Sequence, residues 1–218
     1  MEKSFWLKKW ECKDIGFHRE VPNANLVNTV DKMDLSASSR FLVPLCGKSK
    51  DMLWLMDKGY DVVGVELSHI ACQEFFAELN VTPEITKRNS FTRYSGPHIE
   101  LLCGDFFDLT PEDLPRIDVV YDCRAFIALP SEMRSQYVSQ LTRCIGTKNK
   151  ILLIAIESHC KVTGPPFPVY DSEINDLYGS NYHVNKIKSE SVIDIPANLI
   201  PKGYTQLVET VYLISGKT

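Results

Sequence analysis

The sequence lacks any apolar run that approaches the roughly 18 residues a membrane-spanning helix needs. It also lacks a positive charge balance, since 24 Lys and Arg residues against 28 Asp and Glu residues leave a formal net charge of −4. The pI is near 5.8 and no basic stripe is present. Binding to nucleic acid through its phosphates is therefore disfavoured. We expect neither a membrane nor a nucleic-acid partner.

Paired cysteines are also missing. The chain has seven cysteines but no C-x-x-C pair, and their wide spacing favours reduced thiols over a disulfide framework. The five histidines are scattered singly, so the sequence offers no metal-ligand cluster. The N-terminal stretch lacks the hydrophobic core of a secretion signal. These features predict a cytoplasmic protein without a metal.

One stretch carries a single turn glycine between its first strand and helix. An apolar run at 41–45 breaks at Gly47, apolar residues at helical spacing follow, and Gly59 ends that helix. A second apolar run at 60–65 leads into Glu66, nineteen residues beyond Gly47. This order of strand, turn, helix and strand is typical of a nucleoside-binding βαβ unit, in which the acidic residue accepts hydrogen bonds from ribose hydroxyls.

The missing glycines indicate which nucleoside the unit suits. A dinucleotide fingerprint needs G-x-G-x-x-G to seat a pyrophosphate at the helix N-terminus, and here Gly47 stands alone. A P-loop needs a glycine five positions earlier, where Leu42 stands. The pattern suits a ligand that has a ribose but no phosphate, of which S-adenosylmethionine is the common example. On spacing alone, an ordinary α/β unit in which Gly47 merely turns the chain stays open.

Strand and helix patterns alternate along the rest of the chain. Further apolar runs at 98–103, 117–121 and 150–156, with helical patterns between them, predict a parallel sheet covered on both faces. The polar segment 81–96 suits an irregular hairpin. The final alternating run, 206–214, predicts an antiparallel strand. At 218 residues the chain suits one domain.

Ligands of such sheets bind beyond the carboxyl ends of the strands. Residues at the predicted strand ends include Gly47, Glu66, Asp105, Arg124 and Glu157. Their common position predicts a single site at that edge. Asp105 could meet an adenine amine there or could equally cap the turn that follows its strand.

Aromatic residues cluster outside the sheet in two places. Trp6, Trp10 and Phe17 stand among lysines near the N-terminus, in either a helix docked on the core or a lid whose π faces attract a sulfonium. Phe167 lies in the loop Gly164–Pro168, whose prolines fix its path. That loop could present the ring to a planar substrate, or it could be a plain connector.

Five segments are long or unusual enough to compare with known families: FLVPLCGKSKDM from Phe41, VVGVELS from Val62, CGDFFDL from Cys103, IALP from Ile127 and GPPF from Gly164. Together they resemble thiopurine S-methyltransferases, in particular the bacterial branch of that family. The resemblance runs from the N-terminal tryptophans to the final strand.

The resemblance implies the α/β, Rossmann-like fold of class I S-adenosylmethionine-dependent methyltransferases. That fold has a mostly parallel seven-stranded sheet with an antiparallel last strand and helices on both faces. We expect one domain over 1–218. Within it, 1–22 would form a lid, 40–157 the S-adenosylmethionine-binding core, and 158–218 the substrate side and closing strands.

The resemblance also implies an activity. A methyl group would pass from S-adenosylmethionine to the sulfur of thiopurines and other aromatic or heterocyclic thiols by in-line SN2 transfer, leaving S-adenosylhomocysteine. The implied donor contacts are Trp10, Leu45 and Glu66, with Asp105 and Phe106 flanking the adenine. The expected partner is a small-molecule thiol, and we expect a monomer.

Fewer residues are implied on the acceptor side. Phe17 matches an aromatic residue associated with the thiopurine ring, and Phe167 is a second candidate for substrate binding. A thiol of low pKa is already partly ionised, so positioning in a dry site does most of the work and no strong general base is required. Asp14, in the lid, is a candidate proton acceptor.

Two departures from the family pattern concern the site, and the first of them affects Arg124, a candidate donor contact. Family members tend to carry Asp-Arg after the fourth strand, whereas here Cys123 occupies the arginine position and Arg124 follows it. A one-residue slip would let Arg124 serve, although successive side chains on an extended segment point to opposite sides. The arginine near the end of the mammalian enzymes has no counterpart around 196–204. Methylation of selenium or tellurium species or another small thiol, and a non-catalytic S-adenosylmethionine-binding sensor, are the alternatives.

Overall fold

The computed structural model of the chain describes residues 2–217, which fall into two compact units that divide between Val119 and Val120. The described residues form six α-helices and nine strands. The predicted α/β fold is confirmed, but the expected number of seven strands is not. The difference arises because the predicted hairpin at 81–96 contributes two further strands.

The first unit contains four helices and five strands. Its elements are α1 (Lys3–Glu11), α2 (Ala24–Val30), β1 (Arg40–Pro44), α3 (Lys50–Asp57), β2 (Asp61–Glu66), α4 (His69–Leu79), β3 (Glu84–Arg88), β4 (Phe91–Gly96) and β5 (Ile99–Cys103). The strand order is β3-β4-β5-β2-β1. Strands β1, β2 and β5 pair in parallel, while β3 and β4 run antiparallel at the end.

The parallel strands are buried, which explains their nearly continuous apolar sequence. Gly64, in the middle of β2, has a packing role, because a Cβ there would lie 2.6 Å from both Cys46 Sγ and Leu101 Cδ2. The central strand can therefore approach its neighbours only without a side chain at that position.

Serine and asparagine side chains cap the N-termini of three helices in this unit. Ser49 accepts the Asp51 N–H at 3.2 Å, and Ser68 accepts the Ala71 N–H at 3.4 Å. Helix α2 is short, with seven residues. Asn23 is its cap, and after Val30 the chain continues in tight turns.

The second unit contains two helices and four strands, the first of which begins one residue before the boundary. Its elements are β6 (Val119–Cys123), α5 (Ser131–Ile145), β7 (Lys150–Glu157), α6 (Asp171–Tyr178), β8 (Tyr182–Ser191) and β9 (Val208–Gly216). The order is β6-β7-β9-β8, and β9 runs antiparallel to both neighbours, as predicted for the last strand.

Strand β6 lies two residues later than the predicted span 117–121. The cause is Asp122, a fully buried carboxyl group within the strand, which an apolar pattern does not reveal. Among residues 2–217, no helix is both long enough and apolar enough to cross a membrane.

Candidate active site

The carboxylate of Glu66 is the centre of the candidate site in the first unit. It lies at the carboxyl end of β2 and is only 6% exposed. One oxygen accepts the Gly47 N–H at 2.9 Å and the other accepts the Ser68 N–H at 2.8 Å. Burial raises the pKa of Glu66, and hydrogen bonds from the N–H groups of Ser68, Gly47 and Leu67 oppose that rise. The carboxylate is thus fixed against the glycine turn.

The turn after β1 has a left-handed backbone at two positions. Leu45 has a φ of 46° and Gly47 a φ of 54°, a region that favours glycine. A Cβ on Gly47 would also lie 3.2 Å from Cζ2 of Trp10, a side chain that is 2% exposed. The structure therefore brings together three residues predicted to contact the donor: Trp10, Leu45 and Glu66.

Strand β5 brings the predicted adenine pair to the same edge. Cys103 is the register partner of Glu66, and the Gly104 N–H donates to the Glu66 carbonyl at 2.9 Å. Asp105 follows directly, and Phe106 is almost fully buried at 3% exposure. Sequence reasoning thus placed both residues at the correct end of β5.

The carboxylate of Asp105 has two partners in the structure. It accepts the Phe107 N–H at 3.0 Å, so it caps the turn, as one of the two interpretations had it. It also pairs with the Lys3 ammonium at 2.5 Å, and Asp105 raises the pKa of that lysine. The sequence did not single out Lys3, because several lysines of equal chemistry stand in the same stretch.

The N-terminal aromatic residues form one cluster. The Phe17 ring lies 5.7 Å from both Trp6 and Trp10 in edge-on geometry, so the predicted acceptor-side ring touches a predicted donor-side ring.

Asp14, the candidate proton acceptor, is a surface residue. Its side chain is 64% exposed and pairs with Lys9 at 2.5 Å, and it lines a surface depression of about 550 Å³ on α1.

The remaining predicted residues lie in the second unit. Cys123, the last residue of β6, and Arg124, which follows it, are both partly exposed. Arg124 has a φ of 77°, so its backbone is not extended and the expected alternation of side chains ends at Cys123. Phe167 is half-buried with its ring folded over Gly164, where a Cβ would collide with it.

Asp122 is a buried acid that sequence reasoning did not assign to the site. It accepts the Phe126 N–H at 3.0 Å and the Tyr137 hydroxyl at 2.7 Å. Burial raises its pKa to about 6, although those hydrogen bonds favour the charged form. Within the described part of the chain, no group of three His, Cys, Asp or Glu side chains could hold a metal ion.

A family model described as Thiopurine S-methyltransferase matches residues 1–217. The chain belongs to that family. Bacterial relatives named thiopurine S-methyltransferase agree with this assignment. The protein from Xanthobacter autotrophicus is 40% identical over 215 residues, which cover 98% of this chain and 99% of the relative. The protein from Pseudomonas fluorescens is 39% identical over 216 residues, covering 99% of this chain and 97% of its own length.

Two solved structures of methyltransferases have a fold similar to that of this chain. One from Anabaena variabilis has a TM-score of 0.62 at 12% identity and covers 99% of this chain and 95% of its own. The 1,6-didemethyltoxoflavin-N1-methyltransferase of Burkholderia thailandensis, solved with S-adenosylhomocysteine, has a TM-score of 0.64 at 10% identity and covers 98% of this chain and 87% of its own. At such identities the likeness shows the fold. The predicted family, enzyme class and methyl donor are confirmed by the family match.

Proposed function

We propose that this chain transfers a methyl group from S-adenosylmethionine to the sulfur of thiopurines and other aromatic or heterocyclic thiols. One observation carries the proposal: the Glu66 carboxylate is buried and hydrogen-bonded to a turn with a single glycine, in a member of the thiopurine S-methyltransferase family. We further propose a cytoplasmic monomer with one domain, a lid at 1–22 and a small-molecule thiol as its partner.

The residues at the strand ends fit the methyl donor. The two Glu66 oxygens together offer about four acceptor sites, and the N–H groups of Gly47, Ser68 and Leu67 use three of them, so about one remains for a ribose hydroxyl. Trp10 and Leu45 border the same turn. We assign these residues, with Asp105, Phe106 and Arg124, to donor binding.

S-adenosylmethionine, when bound, supplies a methyl group activated by its sulfonium. The residues of the chain contribute orientation and a dry environment, and the aromatic cluster of Trp6, Trp10 and Phe17 provides apolar surface for that purpose. We assign Phe17 and Phe167 to the acceptor ring. Asp14 is proposed as a proton acceptor, since its exposed carboxylate can pass a proton to water.

The Asp-Cys-Arg sequence concerns the donor contact that we assign to Arg124. A neutral thiol at Cys123 cannot supply the charge or the planar donors of a guanidinium. Arg124 has a left-handed backbone that costs a non-glycine residue about 1–3 kcal/mol, a type of strain that clusters at functional sites. We therefore propose Arg124, rather than Cys123, as the residue that takes the role of the family arginine.

Calorimetric titration with S-adenosylmethionine and S-adenosylhomocysteine, followed by a methyl-transfer assay on 6-mercaptopurine, tests the function. Binding with turnover is the expected result. Binding without turnover on any aromatic thiol would favour selenium or tellurium species, another small thiol, or a sensor. Failure to bind either donor form would contradict the proposal as a whole.

A further inference from the structure

Four consecutive carbonyls of the proline loop are held by side chains from elsewhere in the second unit. Arg134, Lys202 and Tyr204, named here the carbonyl clamp, donate the bonds. Lys202 donates to Pro165, Tyr204 to Pro166 at 2.8 Å, and Arg134 to Phe167 at 3.4 Å and to Pro168 at 3.2 Å. Because protein side chains bind all four of these carbonyls, the path of the loop is set by the clamp rather than by solvent.

Arg134 is the central member of the clamp. Its side chain is 1% exposed, and all three of its nitrogens are used. Besides the loop carbonyls, it donates to Leu129 at 3.0 Å and to Glu173 at 2.6 Å, and its guanidinium lies 5.3 Å from the Phe126 ring. A buried charge is costly unless its geometry is fully satisfied. The planar guanidinium meets that demand by binding the two successive carbonyls of Phe167 and Pro168, which a lysine cannot do with the same geometry.

The loop backbone is also tied to the sheet side of the unit. The Phe167 N–H donates to Ile127 at 2.7 Å, and the Val169 N–H donates to Ile156 at 2.8 Å. The ring of Phe167 folds over Gly164 and stays half-buried. Phe167 is therefore an aromatic residue in a loop whose backbone is fixed from both sides before any ligand binds.

We propose that Arg134 is a positioning residue for the acceptor: through the carbonyl clamp it holds the Phe167 ring in place, so that a planar heteroaromatic thiol binds without the cost of ordering the loop. The inference rests on the proposed function, because it takes Phe167 as an acceptor contact. It predicts that Arg134 acts on the acceptor through Phe167 and leaves the donor unaffected.

A double-mutant cycle with Arg134→Lys and Phe167→Ala tests this inference. Binding of 6-mercaptopurine to protein saturated with S-adenosylhomocysteine is measured by calorimetry, and kcat and KM are measured with S-adenosylmethionine. Each single variant should weaken acceptor binding by about tenfold, with donor Kd changed less than twofold. The double variant should match Phe167→Ala alone, since Arg134 has no further effect once the ring is gone.

Arg143→Lys is the matched control, because Arg143 lies on the same helix, bonds Gln140 and is exposed. It should leave acceptor binding unchanged. A general loss of structure in Arg134→Lys would instead weaken donor and acceptor binding together. If Arg134→Lys weakens acceptor binding as much in the Phe167→Ala background as in the wild type, the inference is overturned.

Tyr204→Phe and Lys202→Met extend the cycle if Arg134→Lys does not fold. Each removes one bond of the clamp, and each should weaken acceptor binding several-fold only where Phe167 is present. Wild-type protein that binds 6-mercaptopurine without methylating it would contradict the proposed function alone. Wild-type protein that binds S-adenosylhomocysteine but no heteroaromatic thiol would overturn the positioning role as well.

Discussion

At the scale of single residues, the Glu66 carboxylate is both buried and an acceptor of hydrogen bonds. Hydrogen bonds to charged groups contribute about 1.5–3 kcal/mol. We therefore expect Glu66→Ala to weaken S-adenosylhomocysteine binding about tenfold or more in calorimetry, without unfolding the chain. Because burial raises the pKa of Glu66, donor affinity should also begin to fall on acidification at a higher pH than for an ordinary carboxyl group. Unchanged affinity in a folded variant would remove Glu66 from the site.

Asp122 should make stability depend on pH. Its folded pKa of about 6 lies above the ordinary value of 3.8, so the native state binds the proton more tightly than the unfolded state. Stability from this group is complete below about pH 4 and is lost as the pH rises through 6. The loss is about 3 kcal/mol for a shift of this size.

Asp122→Asn removes that titration. The free energy of unfolding of the wild type, measured with denaturant and compared with Asp122→Asn, should fall by about 3 kcal/mol between pH 4 and pH 8. Tyr137→Phe should move the midpoint upward, because the Tyr137 hydroxyl favours the charged form. Parallel pH profiles for the wild type and Asp122→Asn would contradict the assignment.

Spacing alone predicted that Glu66 and Asp105 stand at strand ends, whereas only the family resemblance named Trp10 as a donor contact. Lys3 and Arg134 could not be predicted in this way. Their partners are a carboxylate and backbone carbonyls far along the chain, and nothing in a lysine-rich stretch or an amphipathic helix indicates which cation will reach them. Which cationic side chain reaches a given carboxylate or carbonyl is therefore decided only by the folded chain.

At the scale of elements, the glycine turn offers a matched pair of substitutions. Gly47 and Gly59 both have positive φ, of 54° and 88°. An alanine at either position costs about 1–2 kcal/mol of stability for the left-handed backbone. A Cβ at Gly47 also meets Trp10, whereas a Cβ at Gly59 has no neighbour within 4 Å.

Gly47→Ala should therefore weaken S-adenosylhomocysteine binding several-fold, because the shifted turn disturbs the bond between the Gly47 N–H and Glu66. Gly59→Ala should lose similar stability and bind the donor like the wild type. Thermal unfolding and calorimetry on the two variants measure both effects. Equal donor affinity in the two variants would show that the turn is not part of the donor site.

Elements were predictable where local pattern and tertiary packing agree. The alternating run at the end of the chain was expected as an antiparallel strand, and β9 has that direction. Strand β6 was misplaced because its buried Asp122 interrupts the apolar run. Strands β3 and β4 form the expected hairpin, which also joins the sheet because β4 pairs with β5 and so satisfies its backbone hydrogen bonds on both sides.

At the scale of the whole molecule, donor binding should stabilise the folded protein by mass action. Ligand at 100 times its Kd adds about 2.7 kcal/mol to the free energy of unfolding. For a protein of this size, each kcal/mol raises Tm by about 2–4 °C, so S-adenosylhomocysteine at that level should raise Tm by roughly 5–10 °C. Differential scanning fluorimetry with increasing ligand measures the shift.

The size of that shift separates the role of Glu66 from a structural one. If Glu66→Ala weakens binding tenfold, the same ligand concentration is ten times the new Kd and adds only about 1.4 kcal/mol. The Tm shift should then be about half that of the wild type, while the exposed control Arg143→Lys keeps the full shift. A full shift in Glu66→Ala, together with a lower Tm without ligand, would mean that the carboxylate serves to hold the Gly47 turn and not the donor.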